Sequence, residues 1–165
     1  MRSGPLLIGY DGTRAAEDAL REAACLLAHR RALVVVVIKP GLAFELIELP
    51  ARAVRLPPAP IDIRTALEVE RKLSEAAQEG AQRVAALARE LGLEADPLVV
   101  AEEPDVSVAE TLLRLAEQHD ARAIVLGAHA HGPILGGTSR GVLRDAKCPV
   151  VVGRERADGA GADRS

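Results

Sequence analysis

Residues 5–38 read PLLIGYDGTRAAEDALREAACLLAHRRALVVVVI, and this stretch decides the fold class. Pro5 to Tyr10 is a short apolar run that stops at Asp11-Gly12, a strong turn signal. Thr13 is placed to cap a helix running to about His29, with Ala16, Leu20, Ala23, Ala24 and Leu27 on one face. Ala32 to Ile38 then forms a second strand. It is apolar throughout and rich in β-branched residues, the composition of a strand covered on both faces in a parallel sheet.

The same alternation continues outward from that unit. Residues 39–64 interrupt it with Pro40, Pro50, Pro57, Pro58 and Pro60, and read as an irregular excursion of the kind that serves as a lid or a partner contact. Thr65 and Glu68 form a capping-box pattern for a long helix ending near Leu91, with Gly92 as its stop. Pro97 to Ala101 reads as the third strand. Ser107 and Glu110 make a second capping-box pattern, opening a helix to about His119 with Val108, Leu112 and Leu115 inward. Ala123 to Leu126 is the fourth strand. A loop, a short helix from about Ser139 to Ala146 and a last strand from Pro149 to Val152 complete the pattern. The expectation is an α/β fold: an open five-stranded parallel sheet with helices on both faces. One domain spans residues 1–153, and residues 154–165 have the composition of a disordered tail.

Composition narrows the function classes. Hydrophobic residues make up 48% of the 165 residues, enough for a core without disulfide or metal staples. With no Trp, one Tyr (Tyr10) and one Phe (Phe44), that core must be built from Ala, Leu, Val and Ile. The net charge of −3 provides no general attraction for nucleic acid or an anionic membrane, and the lack of rings removes the usual platform for stacked bases. No window approaches the roughly 20 apolar residues of a membrane span, and the N-terminus lacks the pattern of a signal peptide, so the cytoplasm is the expected compartment. Cys25 and Cys148 are too few for a disulfide framework and read as small buried hydrophobes.

In a sheet of this kind ligands bind beyond the carboxyl ends of the strands, where the strand order reverses. Two segments fall there. Asp11-Gly12-Thr13 follows the first strand, and Gly127 to Ser139 follows the fourth. The second carries Gly127, Gly132, Gly136 and Gly137, then hydroxyls at Thr138 and Ser139 where a helix starts. Glycines let a backbone approach a phosphate, and free N–H groups with the helix dipole favour its charge. The same composition also serves a plain tight connection. The spacing fits neither the dinucleotide fingerprint nor the lysine-bearing phosphate loop.

Three stretches carry a resemblance: LLIGYDGTRAAEDALREAACLLAHRRALVVVVIKP, then SVAETLLRLAEQHDARAIVLGAHAHG behind an acidic segment, then SRGVLRDAKCPVVV. Over nearly the whole chain, to about residue 153, the sequence resembles the universal stress protein family. The YDGT turn, the AIVLG strand and the CPVVV end are its most specific elements. The resemblance implies a Rossmann-like sheet, similar to the adenine nucleotide alpha hydrolases, of order 3-2-1-4-5. It also implies a homodimer through the last strand, Pro149 to Val152, and, for one branch, binding of ATP or AMP with Mg2+. By that resemblance Tyr10 and Asp11 face the adenosine, with Asp11 near the ribose. The backbone at Val37 and Ile38 meets the adenine edge. Leu126 and Gly127 begin the phosphate loop, which Gly136, Gly137 and Thr138 close; Gly132 and Thr138 stand in from shifted positions for the missing glycine and hydroxyl, and the loop's own composition adds Ser139.

The chain also departs from the family. Its nucleotide-binding branch carries G-x2-G-x9-G-[S/T]. Gly127 takes the first position, but the second falls on Ala130, and Gly136 and Gly137 take the third glycine and the hydroxyl position. Eight residues separate Gly127 from Gly136 where the pattern has twelve. A shorter loop offers fewer N–H groups, which weighs against a triphosphate and leaves room for a smaller ligand such as AMP.

The other polar residues have plain readings. His129 and His131, two apart in the loop, lack a third metal ligand nearby in sequence. Asp11 serves as a turn former, a magnesium ligand or a base, and Glu102 and Glu103 as a solvated rim. Lys39, Lys72 and Lys147 form no phosphate-loop pattern, and no hydroxyl or thiol has a matched base. The leading expectation is a regulatory protein that binds an adenine nucleotide without turnover. A nucleotide-independent dimeric interaction protein with an unknown protein partner stands second, and a weak ATPase third.

Overall fold

The alternation of apolar runs and amphipathic segments folds as a three-layer sandwich in the computed structural model, which describes residues 4–27, 30–39, 63–128 and 136–154. The central strand β1 (Leu6–Gly9) pairs in parallel with β2 (Arg31–Ile38) on one side and β4 (Ala123–Ala128) on the other. Outside them lie β3 (Glu94–Ala101) and β5 (Val150–Arg154), so the strand order is β3-β2-β1-β4-β5. This is the order the resemblance implies, and the turning point of the topology falls between β1 and β4.

Period-2 alternation along the strands feeds two separate cores. On one face Leu6, Ile8, Val34 and Val125 pack against α1 (Arg14–Leu26) and α2 (Ile63–Glu90) through Ala19, Leu20, Ala23, Val84, Ala85 and Ala88. On the other, Leu7, Val35, Ile124 and Leu126 meet α3 (Val108–Gln118) and α4 (Gly137–Asp145) through Leu112, Ala116 and Val142. Every buried hydrophobic residue among those described is Ala, Leu, Ile or Val, as the composition requires. Small residues on α1 let it sit unusually close to the sheet. A Cβ added at Gly127 would lie 2.6 Å from the carbonyl carbon of Ala15 and 2.8 Å from the Ala16 Cα. Gly153 of β5 faces the Ala19 backbone in the same way. These glycines are packing residues first.

Several local expectations are corrected. The long helix begins at Ile63, so Thr65 lies inside its first turn and does not cap it. Ile63 and Arg64 are compatible with helix, and a capping-box pattern has no force once the helix continues upstream of it. The third strand begins at Glu94, three residues before Pro97. It is an edge strand, where a proline that cannot donate to the ladder is tolerated, and Pro97 sits opposite Val34 in register. The last helix begins at Gly137, which places Gly137 and Thr138 in its first turn. Cys25 is exposed and not buried, while Cys148 is half-buried. On α1 the buried phase falls on Ala23 and Ala24, and the next residue turns out to solvent. The Ser107–Glu110 capping box forms as read: the Glu110 N–H donates to Ser107 Oγ, and Glu110 Oε2 accepts from the Ser107 N–H at 2.9 Å.

Gly132, His129 and His131, most of the proline-rich excursion and the tail beyond Arg154 lie outside the described residues. Among the described residues no helix is long and apolar enough to cross a membrane.

Candidate functional site

At the carboxyl ends of β1, β2 and β4, on the α3–α4 face, a cleft of about 270 Å³ opens between the sheet and α3. Register explains its floor. Gly9 of β1 lies beside Val35 of β2 and Leu126 of β4 in one row across the sheet. Gly9 has no side chain, and Leu126 and Leu112 lean over it; a Cβ there would meet Leu126 Cδ2 at 2.6 Å and Leu112 Cδ1 at 3.4 Å. Val37, Val108 and Leu112 complete an apolar slot.

Asp11 stands at the rim. Its Oδ1 accepts from the Thr13 N–H at 3.1 Å and from Thr13 Oγ1 at 2.6 Å, while Thr13 Oγ1 accepts from the Ala16 N–H at 3.3 Å. The turn passes through Gly12 at φ +85°, a left-handed conformation suited to glycine. Asp11 and Thr13 together therefore fix the start of α1 and hold the carboxylate at the cleft mouth.

The first turn of α4 closes the opposite side. Gly136 is its N-cap and supplies no side-chain hydrogen bond, and Gly137, Thr138 and Ser139 all line the cleft. The N–H groups of a first helical turn have no intrahelical acceptor, so they are left for solvent or a ligand, with the positive end of the helix dipole behind them. Ser139 is buried, and its Oγ donates to the Gly127 carbonyl at 3.3 Å, tying α4 to the end of β4.

The structure thus brings together Tyr10, Asp11, Val37, Leu126, Gly127, Gly136, Gly137, Thr138 and Ser139. Ile38 is not in the lining; its carbonyl accepts from the Glu102 N–H at 2.7 Å at the far side of β2. Tyr10 contributes at the rim, but its side chain packs against the α1–α2 core and hydrogen-bonds Glu17. Partial burial, the nearby Glu17 carboxylate and Asp11 hold its phenol above the ordinary tyrosine range, against an opposing effect of Arg83. Gly9, Val35, Val108 and Leu112 are the lining residues that sequence reading assigned to the core or passed over. The available signal was a glycine closing the first strand directly after an apolar run. Of the expected rim acids, Glu103 pairs with Arg114 at 3.0 Å in an exposed ion pair. Among the described residues no group of three or more His, Cys, Asp or Glu is placed to hold a metal ion.

The model of the universal stress protein family matches residues 3–154. The chain belongs to the universal stress protein family. A universal stress protein from Archaeoglobus fulgidus is 25% identical, with 90% of this chain and 97% of that chain covered and a TM-score of 0.60. A universal stress protein family member from Burkholderia pseudomallei is 27% identical, covering 92% and 96% at a TM-score of 0.59. The universal stress protein from Archaeoglobus fulgidus in complex with dAMP is 24% identical, with 92% and 98% covered and a TM-score of 0.54. No curated protein matches the chain in sequence. Gly127 and Gly136, which the resemblance placed at the first and third glycines of the nucleotide-binding pattern, both line this cleft.

Proposed function

We propose that this universal stress protein binds an adenine nucleotide in the cleft and acts through binding, without turnover. The observation that carries the reading is the meeting of three features in one cleft: an apolar slot, a carboxylate turn and an uncapped helix start. Each matches one part of a nucleotide. The slot between Val35, Val37 and Leu112 takes the flat base. Asp11 accepts hydrogen bonds from ribose hydroxyls, and the first turn of α4 takes phosphate. The dAMP complex supports the reading in one respect: a fold that this chain shares seats an adenine nucleotide in that protein.

Binding without turnover is supported by the lining. Among the described residues it contains no Lys, Arg or His, and the Ser139 hydroxyl is committed to the Gly127 carbonyl. A hydroxyl nucleophile without a base partner stays inert. Association is expected at β5. It is an edge strand whose Val150, Val151 and Val152 are only half-buried, and such an edge invites pairing with a second copy in the cytoplasm.

The decisive experiment is calorimetric titration with AMP, ADP and ATP, with and without magnesium. Micromolar binding, weakened by Asp11→Ala and by Gly136→Val, is the expected result. Loss of a charged hydrogen bond at Asp11 costs about 1.5–3 kcal/mol, or roughly one to two decades in Kd. Absence of heat for every nucleotide at millimolar concentration would overturn the proposal and leave a nucleotide-independent dimeric interaction protein.

A further inference from the structure

We propose that the nucleotide site continues past the first turn of α4 into a second groove, where Arg140 binds the phosphate that follows the first; this rests on the adenine-nucleotide reading above. The continuity of the two depressions, the direction of a helical side chain and the bare passage between them carry it.

The helices α3 and α4 meet at small residues. A Cβ built on Gly141 would lie 2.9 Å from the Ala109 Cβ, so the two helices pack in close contact there. Beside that contact runs a groove of about 630 Å³, with Glu110 and Leu113 on the α3 wall and Arg140 and Arg144 on the α4 wall. Gly137 and Thr138 line this groove and the cleft alike, so the two depressions meet at the first turn of α4. Position 137 is an open passage: nothing lies within 4 Å of a Cβ built there. The passage lies across the cleft from Asp11, and a phosphate chain leaving over it moves away from that carboxylate.

Arg140 sits one turn behind the passage. Its N–H donates to the Gly136 carbonyl at 3.0 Å, the first hydrogen bond of the helix. Side chains on a helix lean back toward its N-terminus and lie over the residues three and four before them. For Arg140 those are Gly137 and Gly136, which carry no side chain to stand in its way. The axial rise over three residues is about 4.5 Å, a span that an extended arginine covers. The guanidinium therefore reaches the level of the N–H groups that take the first phosphate, and its fork fits a second phosphate in bidentate fashion. Arg144 stands a further turn away, with its guanidinium held by Asp145 at 3.0 and 2.8 Å. The Glu110 carboxylate on the facing wall accepts from the Ser107 N–H at 2.9 Å and from Ser107 Oγ at 2.8 Å. Of the two arginines, Arg140 is the one placed to meet the ligand. The shortened glycine spacing counts backbone donors alone, and this cation comes from the helix that follows it.

The test is calorimetry of AMP, ADP and ATP without magnesium on the whole chain, on Arg140→Gln and on Arg144→Gln, with thermal melts to show that both variants are folded. Arg140→Gln should weaken ADP and ATP by about tenfold, or about 1.4 kcal/mol, and AMP by less than about twofold. Arg144→Gln should leave all three unchanged. Arg140→Lys should recover part of the lost ADP affinity, because it keeps the charge without the fork. Equal losses for AMP and ADP would overturn the placement of Arg140 beyond the first phosphate. A folded Arg140→Gln with unchanged ADP and ATP affinity would overturn its role altogether, while leaving nucleotide binding in the cleft in place. No heat from any nucleotide with the unmodified protein would remove that underlying reading, and this inference with it.

Discussion

Gly127 is the residue at which packing and ligand binding make different demands, and Gly127→Ala separates them. The added methyl would face backbone: the carbonyl carbon of Ala15 at 2.6 Å and the Cα of Ala16 at 2.8 Å. These atoms cannot rotate away as a side-chain end would. Ordinary contact begins at 3.4 Å and the Ala16 backbone nitrogen lies closer still than these two atoms, so the start of α1 must move off β4 by more than about 0.8 Å, the difference from 2.6 Å. Overpacking of this kind costs about 1–3 kcal/mol.

Urea unfolding followed by circular dichroism reads that cost. With m near 1–3 kcal/mol/M, the midpoint should fall by roughly 1 M while m is unchanged. The start of α1 is fixed to Asp11 through Thr13, so the same shift should drag the carboxylate and weaken nucleotide binding in parallel. Gly137→Ala is the control. It has open space around its Cβ, and alanine in a helix is favoured over glycine by about 0.5–1 kcal/mol, so it should be neutral or stabilising. A loss below about 0.5 kcal/mol for Gly127→Ala would refute the packing argument, since that is the ordinary scatter of surface substitutions. If affinity nevertheless collapsed, Gly127 would be conserving approach room for the ligand and not for α1.

Three further outcomes follow from the geometry. Ser107→Ala removes the α3 cap and should cost about 1 kcal/mol in urea unfolding at neutral pH. Its hydrogen bonds from Ser107 hold the Glu110 carboxyl below its ordinary range, so that contribution is present above the unfolded pKa and is lost as pH falls through the folded one; the difference between parent and variant should shrink in acid. Tyr10 is shifted the other way, chiefly by burial. Its contribution is complete below the unfolded phenol pKa and is lost as pH rises through the folded one, so Tyr10→Phe should flatten the alkaline limb of the stability profile. In the native protein a thiol reagent should modify exposed Cys25 before half-buried Cys148, as peptide mapping by mass spectrometry would show; equal rates would contradict the outward phase of α1.

The fold was legible because strands buried on both faces leave a plain signal. Val34 and Val35 serve opposite cores, so β2 had to be apolar at consecutive positions. Misreadings occurred where a local rule met a tertiary one. Pro97 looked like the start of a strand because a proline cannot donate within a ladder, yet an edge strand is paired on one side only and tolerates a proline whose missing N–H would face the open side. Cys25 sat in an apolar run, but a helix buries by phase and not by run, and the residues that set the phase were the small alanines before it. Alanine on both sides of a helix conceals which side is inner.

The site shows a different limit. Asp11, Gly127 and the start of α4 stood out because turns and glycines have few other uses. The apolar half of the cleft did not, because Val35, Val108 and Leu112 carry the same periodicity whether they meet another side chain or a ligand. What turns them from core into lining is one absence in the row above the core, the missing side chain of Gly9 between Val35 and Leu126. That argument also fixes what the cleft can be. Among the described residues, the slot beside Gly9 is lined by leucine and valine methyls, so under the proposed reading a base would be read by backbone and at the two ends. Under the proposed reading, Asp11 and the first turn of α4 set the specificity, one by its negative charge and the other by the N–H groups of a helix start.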